Sequence, residues 1–337
     1  MHEHDGKGVS RRELLATGAA ATASAAAGLM LTAGASPVAA SSKHRTALGL
    51  DTGAGNARLM TRIVANLDSS RAKHGWYRGR VMGVAPGAAA RDLLGIMGMS
   101  SQRALPLPDR PGWMLLQREV GFFFDLATGK VVDRWTNPLN EETVDVLHIA
   151  NPSVSRDIEP IERDARFYDD PARAAAAARP FLLPWQTAGD RLFVEQHGHY
   201  WARNPLDPAV WVRESSGPML QVSDMLSYNV ALSKALDPTL ISLEHWGAWS
   251  HVRPWQPWML MGAAPGHLLY NCFTGSADEL DAIPADIVAL TRERFPDFLT
   301  PPEKRTKAEP SVIRFMRERK PVPPRAPATT NEGAPSP

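Results

Sequence analysis

The chain is nearly without cysteine: Cys272 stands alone in 337 residues. An intrachain disulfide framework is therefore excluded, and so is a zinc or iron–sulfur centre built on several thiolates. Net charge is equally scarce. Thirty-seven Lys and Arg face 36 Asp and Glu, a formal +1 at pH 7. A chain without a basic excess argues against a nucleic-acid partner. No Gly-x-Gly-x-x-Gly follows a predicted strand, no Walker-type loop is present and β-α units do not alternate, so nucleotide-binding folds are not expected. A Gly-x-Ser-x-Gly elbow is also missing, which leaves a nucleophilic serine of the hydrolase type unsupported. Past the N-terminus no second apolar run approaches the roughly 20 residues of a membrane span, so the mature protein is expected to be soluble, without a permanent span.

Proline and tryptophan are present in quantity, 29 and 10 residues. The first implies short elements and many turns. The second implies large apolar surfaces with a few indole N–H groups to satisfy. Residues 1–40 read as an export signal. Arg11 and Arg12 lie in a twin-arginine sequence, a weakly apolar Ala-rich stretch follows, and Val38-Ala39-Ala40 supplies small residues before a cut. Gly18, Gly28, Gly34 and Pro37 make that stretch a poor permanent anchor. The expected partner is the twin-arginine translocase, the expected address the periplasm or the exterior. There Cys272 would be a lone thiol protected by burial.

Residues 41–300 are expected to form one β-rich domain, and residues 301–337 a Pro-rich, charged, largely disordered tail with one short helix over 311–319. Leu59, Ile63 and Leu67 at four-residue spacing predict a helix over 56–67, and another is predicted over 285–295. Alternating patterns predict strands over 76–84, 113–125, 142–150, 191–200, 210–212, 220–231, 240–249 and 266–273, and residues 125–136 predict a hairpin. This count indicates a mainly β, antiparallel fold, either a barrel or a strongly curved sheet with a few peripheral helices.

Several segments carry a resemblance. They are Trp76-Tyr77-Arg78-Gly79-Arg80-Val81, Arg118-Glu119-Val120, Trp135-Thr136-Asn137-Pro138, and Leu147-His148-Ile149-Ala150-Asn151-Pro152. The longest is Trp249-Ser250-His251-Val252-Arg253-Pro254-Trp255-Gln256-Pro257-Trp258-Met259. Over roughly residues 45–300 the chain resembles a bacterial family of exported proteins catalogued as a domain of unknown function. The resemblance implies a calycin-like β-barrel and carries no family-wide activity.

Chemistry is sought first on residues 191–200. With a period of two, Glu195, His197 and His199 share one face. They can be a solvated stripe, acid/base groups lining a cavity, or three ligands of a divalent metal. No organic cofactor is expected. Arg80 and Arg118 lie in otherwise apolar strands, where an arginine holds either a structural carboxylate such as Glu119 or a ligand's anion. His148 is a core residue or an acid/base group. Asn151-Pro152 reads as turn chemistry. The segment 244–261 gathers Trp246, Trp249, Trp255 and Trp258, either a binding wall at a barrel mouth or a plug, with Glu244, Arg253 and Tyr270 as nearby polar groups.

The first functional expectation is thus a cofactor-free enzyme of the lyase or isomerase type, moving a proton on a small hydrophobic or aromatic molecule. His148, Glu195, His197 and His199 are the acid/base candidates and Arg118 the anion holder. The alternatives are a non-catalytic carrier with the same cavity, and a structural envelope protein without one. Titratable groups in a cavity favour the enzyme; a smooth apolar cavity favours the carrier.

Overall fold

The computed structural model describes residues 38–162 and 171–324. Residues 1–37, which hold most of the predicted export signal, lie outside the described residues, as do 163–170 and the tail from 325. Ten strands form one antiparallel sheet. In spatial order they are β1 (Val38–Ala39), β10 (Gln186–Ala188), β11 (Arg191–Arg203), β12 (Met219–Ala231), β13 (Trp246–Arg253), β14 (His267–Ala277), β2 (Lys73–Val84), β3 (Arg91–Pro106), β4 (Trp113–Phe124) and β7 (Ile149–Ile158). The sheet curls into a half-barrel, and its edge strands β1 and β7 do not pair with each other. Two small ribbons sit beside it, β5 (Arg134–Thr136) with β6 (Thr143–Asp145), and β8 (Ile161–Glu162) with β9 (Arg179–Pro180). The mainly β, antiparallel expectation therefore holds, in its strongly curved form.

Several boundaries differ from the sequence pattern, each for a local reason. The longest strand, β3, has no counterpart among the predicted strands. Its middle is buried on both faces and carries Gly95 and Gly98, so the polar–apolar alternation that marks a half-exposed strand is erased. Residues 210–212 are not a strand but a turn, closed by Trp211 N–H to Asp207 O at 2.8 Å. Residues 142–150 divide between β6 and β7. The predicted hairpin closes as a turn at Asp125–Lys130, after which β5 leaves the sheet to pair with β6.

Helices plug the open half-barrel. Helix α1 (Ser42–Leu48) is followed by α2 (Gly53–Val64), capped by the Thr52 hydroxyl, which accepts from Gly55 N–H at 3.1 Å. Leu59, Met60 and Ile63 of α2 pack with Leu192, Val194 and Val230 near one edge of the sheet, and with Ala104 and Leu115 near the other. Burial of this apolar stripe bridges the two edges at one end. After the short helices α3 (Pro171–Ala176) and α4 (Leu232–Leu236), α5 (Ala285–Arg294) covers the convex face of β3 and β4 through Ile287 and Val288. Helix α6 (Ser311–Glu318) agrees with the short helix expected there. It is no detached tail: Phe315 is buried against Trp211, ring centroids 5.6 Å apart, in the cluster that closes the other end with Trp258 and Met259. Among the described residues no helix is long and apolar enough to cross a membrane.

Candidate functional site

Between the two plugs the concave face holds an open cavity of about 470 Å³, large enough for a mono- or bicyclic ligand. Its groups follow from strand register. Asp224, His251 and Tyr270 stand directly opposite one another on β12, β13 and β14. On β3, β4 and β7 the matching row is Ser100, Glu119 and Asn151. Tyr77 on β2 faces Gly98 of β3, which faces Gly121 of β4. A Cβ on Gly98 would lie 2.6 Å from both Cζ and Oη of Tyr77, so the two glycines form the groove that holds the phenol ring. Tyr77 Oη donates to Val120 O at 3.3 Å.

Asp224 Oδ1 accepts from His251 Nδ1 at 2.6 Å and from Trp249 Nε1 at 3.0 Å. Burial pushes the Asp224 carboxyl up, but these hydrogen bonds and the charges of His251 and Arg253 outweigh it and hold it below the usual range. An ionised carboxylate only accepts, so Nδ1 of His251 carries a proton toward it, and Nε2 is the nitrogen left to exchange a proton with the cavity. The ring is clamped, stacked on Trp249 at 5.4 Å and edge-on to Tyr270 at 5.4 Å.

Glu119 is governed by the opposite balance. Burial pushes its carboxyl up, against a hydrogen bond from Asn151 Nδ2 to Oε2 at 2.9 Å and the His251 charge. Asn151 is fixed in turn, its Oδ1 accepting from Ser311 N–H and Oγ, both at 2.9 Å. The tail helix thereby orients the amide that orients Glu119. Two ionisable centres with environments that drive them apart face one space, which is the arrangement general acid/base chemistry requires.

The residues selected from sequence divide sharply. Trp249, Trp258, Tyr270 and Arg253 line the cavity. Trp255 does not: it is buried in the core with Nε1 donating to Ala264 O at 2.9 Å, the plug alternative. Glu244 is exposed beside a smaller depression with Trp76 and Trp246. Arg80 is exposed on the convex face and pairs with Asp92 at 2.7 Å. Arg118 also points away from the cavity, donating to Asp297 O at 2.6 Å and Thr300 O at 3.2 Å, and so fastens the segment after α5. His148 is a core residue. Its Nδ1 accepts from Phe123 N–H at 3.2 Å, so Nε2 carries the proton and donates to Asp133 at 3.1 Å. Burial lowers its pKa further. Glu195, His197 and His199 do share a face, the exposed convex one, where His197 and Glu195 approach at 3.4 Å. Among the described residues no group of three or more His, Cys, Asp or Glu is spaced to hold a metal ion. Cys272 is buried and opposite Trp249, its thiol pushed up to about 12 by desolvation.

Glu119, Asp224, His251 and Tyr77 were not selected from the sequence. One signal was available: Trp249, His251 and Arg253 alternate on one face of β13. Asn151, read as turn chemistry, faces inward, just before an irregularity in the β4–β7 register.

An open antiparallel half-barrel with a pocket lined by acid/base groups is the class of protein these features define. The chain belongs to the family described as "Protein of unknown function (DUF1838)", whose model matches residues 71–319. No curated protein matches it.

Proposed function

We propose that this protein is an exported, organic-cofactor-free acid/base catalyst of the lyase or isomerase type, acting on a small hydrophobic or aromatic molecule. One observation carries the reading: the Asp224–His251 pair and Glu119 face the same cavity from opposite strands. His251 is the base, held and charge-stabilised by Asp224. Glu119, kept protonated to higher pH by burial, is the acid. Trp249 and Trp258 supply flat apolar walls for the ligand. A plain carrier needs no such pair of ionisable centres, so the lining supports catalysis over transport.

The test is exchange of carbon-bound protons. The mature protein is incubated with aryl acetones and with arylacetates in D₂O and loss of the α-proton signal is followed by NMR. Exchange above the buffer rate that disappears in His251→Asn and Glu119→Gln is expected. Binding without exchange would favour the carrier, and exchange untouched by His251→Asn would reject the assignment.

Export through the twin-arginine translocase belongs to the same proposal and rests on Arg11, Arg12 and the small residues ending at Ala40. Cleavage after Ala40 would also remove β1, which pairs with Gln186 and Thr187.

A further inference from the structure

Arg253 lies two residues beyond His251 on β13, so both side chains rise from the concave face about 6.5–7 Å apart. It lines the cavity. Its Nε is buried with no hydrogen-bond partner among the described residues. The carboxylate whose charge it feels, Asp224, is already engaged by His251 and Trp249. A second donor stands beside it. Tyr270 is 1% exposed, and its Oη accepts from Gln256 Nε2 at 2.8 Å. That bond leaves the hydroxyl proton for another acceptor.

A half-buried guanidinium and a buried hydroxyl are poorly solvated and bind an anion's oxygens strongly. Trp249 and Trp258 stand in the same lining as flat apolar surfaces. Arg156 lines the cavity too, but it is exposed, and an exposed guanidinium gains less from an anion than a half-buried one.

We infer that the ligand is an aryl carboxylate, its carboxylate docked on the Arg253 guanidinium and on the Tyr270 hydroxyl, its ring against Trp249 and Trp258. The inference rests on this cavity being the ligand site proposed above and adds the substrate class. It sets the carbon next to the carboxylate beside His251.

Isothermal titration calorimetry of the full mature chain decides it, with phenylacetate and 2-naphthylacetate as probes against their primary amides. The acids should bind at least about tenfold more tightly than the amides, the range of a charge-assisted hydrogen-bonded pair. Arg253→Gln should level the two and Tyr270→Phe should narrow the gap, while Arg156→Gln leaves it unchanged. Should Arg253→Gln not fold, Arg253→Lys keeps the charge, loses the fork, and should still reduce the preference. Equal binding of acid and amide to the wild type, no binding of any probe at millimolar concentration, a preference that survives Arg253→Gln, or one lost in Arg156→Gln overturns the inference. Turnover does not enter this readout. A preference that depends on Arg253 without proton exchange keeps the inference and rejects catalysis; exchange without the preference does the reverse.

Discussion

Gly121→Ala is the sharpest probe of how the cavity is built. The added methyl would fall inside contact distance of Tyr77 Oη, while the next atoms, Tyr77 Cζ and Ile149 Cβ, lie at 3.3 and 3.4 Å. Two effects compete. Replacing a strand glycine by alanine gains about 0.5–1 kcal/mol of backbone entropy. Overpacking a filled site costs about 1–3 kcal/mol. Tyr77 is buried and its ring is confined between β3 and β4, so the clash wins and the variant is less stable than wild type. In Tyr77→Phe the offending oxygen is gone, and only the two longer contacts remain. There Gly121→Ala should be neutral, or stabilising by up to about 1 kcal/mol. Tyr77→Phe alone loses the long hydrogen bond to Val120 O and the hydroxyl's interaction with the Glu119 carboxyl, about 0.5–1.5 kcal/mol each. Urea unfolding of the wild type, both single variants and the double variant, followed by tryptophan fluorescence and circular dichroism, measures the coupling. About 1–3 kcal/mol of favourable coupling in the double variant is expected. Additivity within about 0.5 kcal/mol would show that Tyr77 does not fill the groove over Gly121.

Glu119→Gln tests the buried acid through pH. The folded state holds the wild-type proton to a higher pH than the unfolded chain, so this group's contribution is full below the ordinary glutamate value of about 4.3 and is lost as pH rises through the raised value. The stability of Glu119→Gln relative to wild type should climb across that window, and a pH-independent difference would contradict a raised carboxyl. Lys73 carries the opposite sign. It is fully buried, donating to Arg62 O at 3.1 Å and Leu243 O at 2.5 Å, and desolvation pushes it down to about 7. Between that value and the ordinary 10.4 or so, the unfolded chain binds the proton that the folded chain has released. Stability from this group therefore rises with pH, by at most about 1.4 kcal/mol per pH unit. Unfolding just above neutrality, before Cys272 titrates in the unfolded chain, should show this rise in wild type and lose it in Lys73→Met; an unchanged slope in the variant rejects it. For export, replacing Arg11 and Arg12 by Lys should hold the precursor in the cytoplasm on cell fractionation, and normal periplasmic yield would reject the signal.

Period-two patterning and turn chemistry were enough to determine that the fold is antiparallel and mainly β. Alternation of polar and apolar residues is a local consequence of a sheet with two unlike faces, and it is written in β2, β4, β11 and β12. Helices α2, α5 and α6 were legible for the same reason at period 3.6 or by proline at the first turn. Tertiary structure decided what those patterns meant. Alternation tells which residues share a face but not which face is concave, so Glu195, His197 and His199 formed a row whose outward direction only the curl of the sheet determines. The same ambiguity separated neighbours: Arg118 went out to hold Thr300, and Glu119 went in to meet Asn151. Register across β12, β13 and β14 joined Asp224, His251 and Tyr270 from segments that share no local pattern. Helix α6, polar enough in sequence to read as part of a tail, became a wall because Phe315 found Trp211 and Ser311 found Asn151. Local propensity sets the elements; which side chains meet in one cavity depends on curvature and long-range register, which no window of sequence contains.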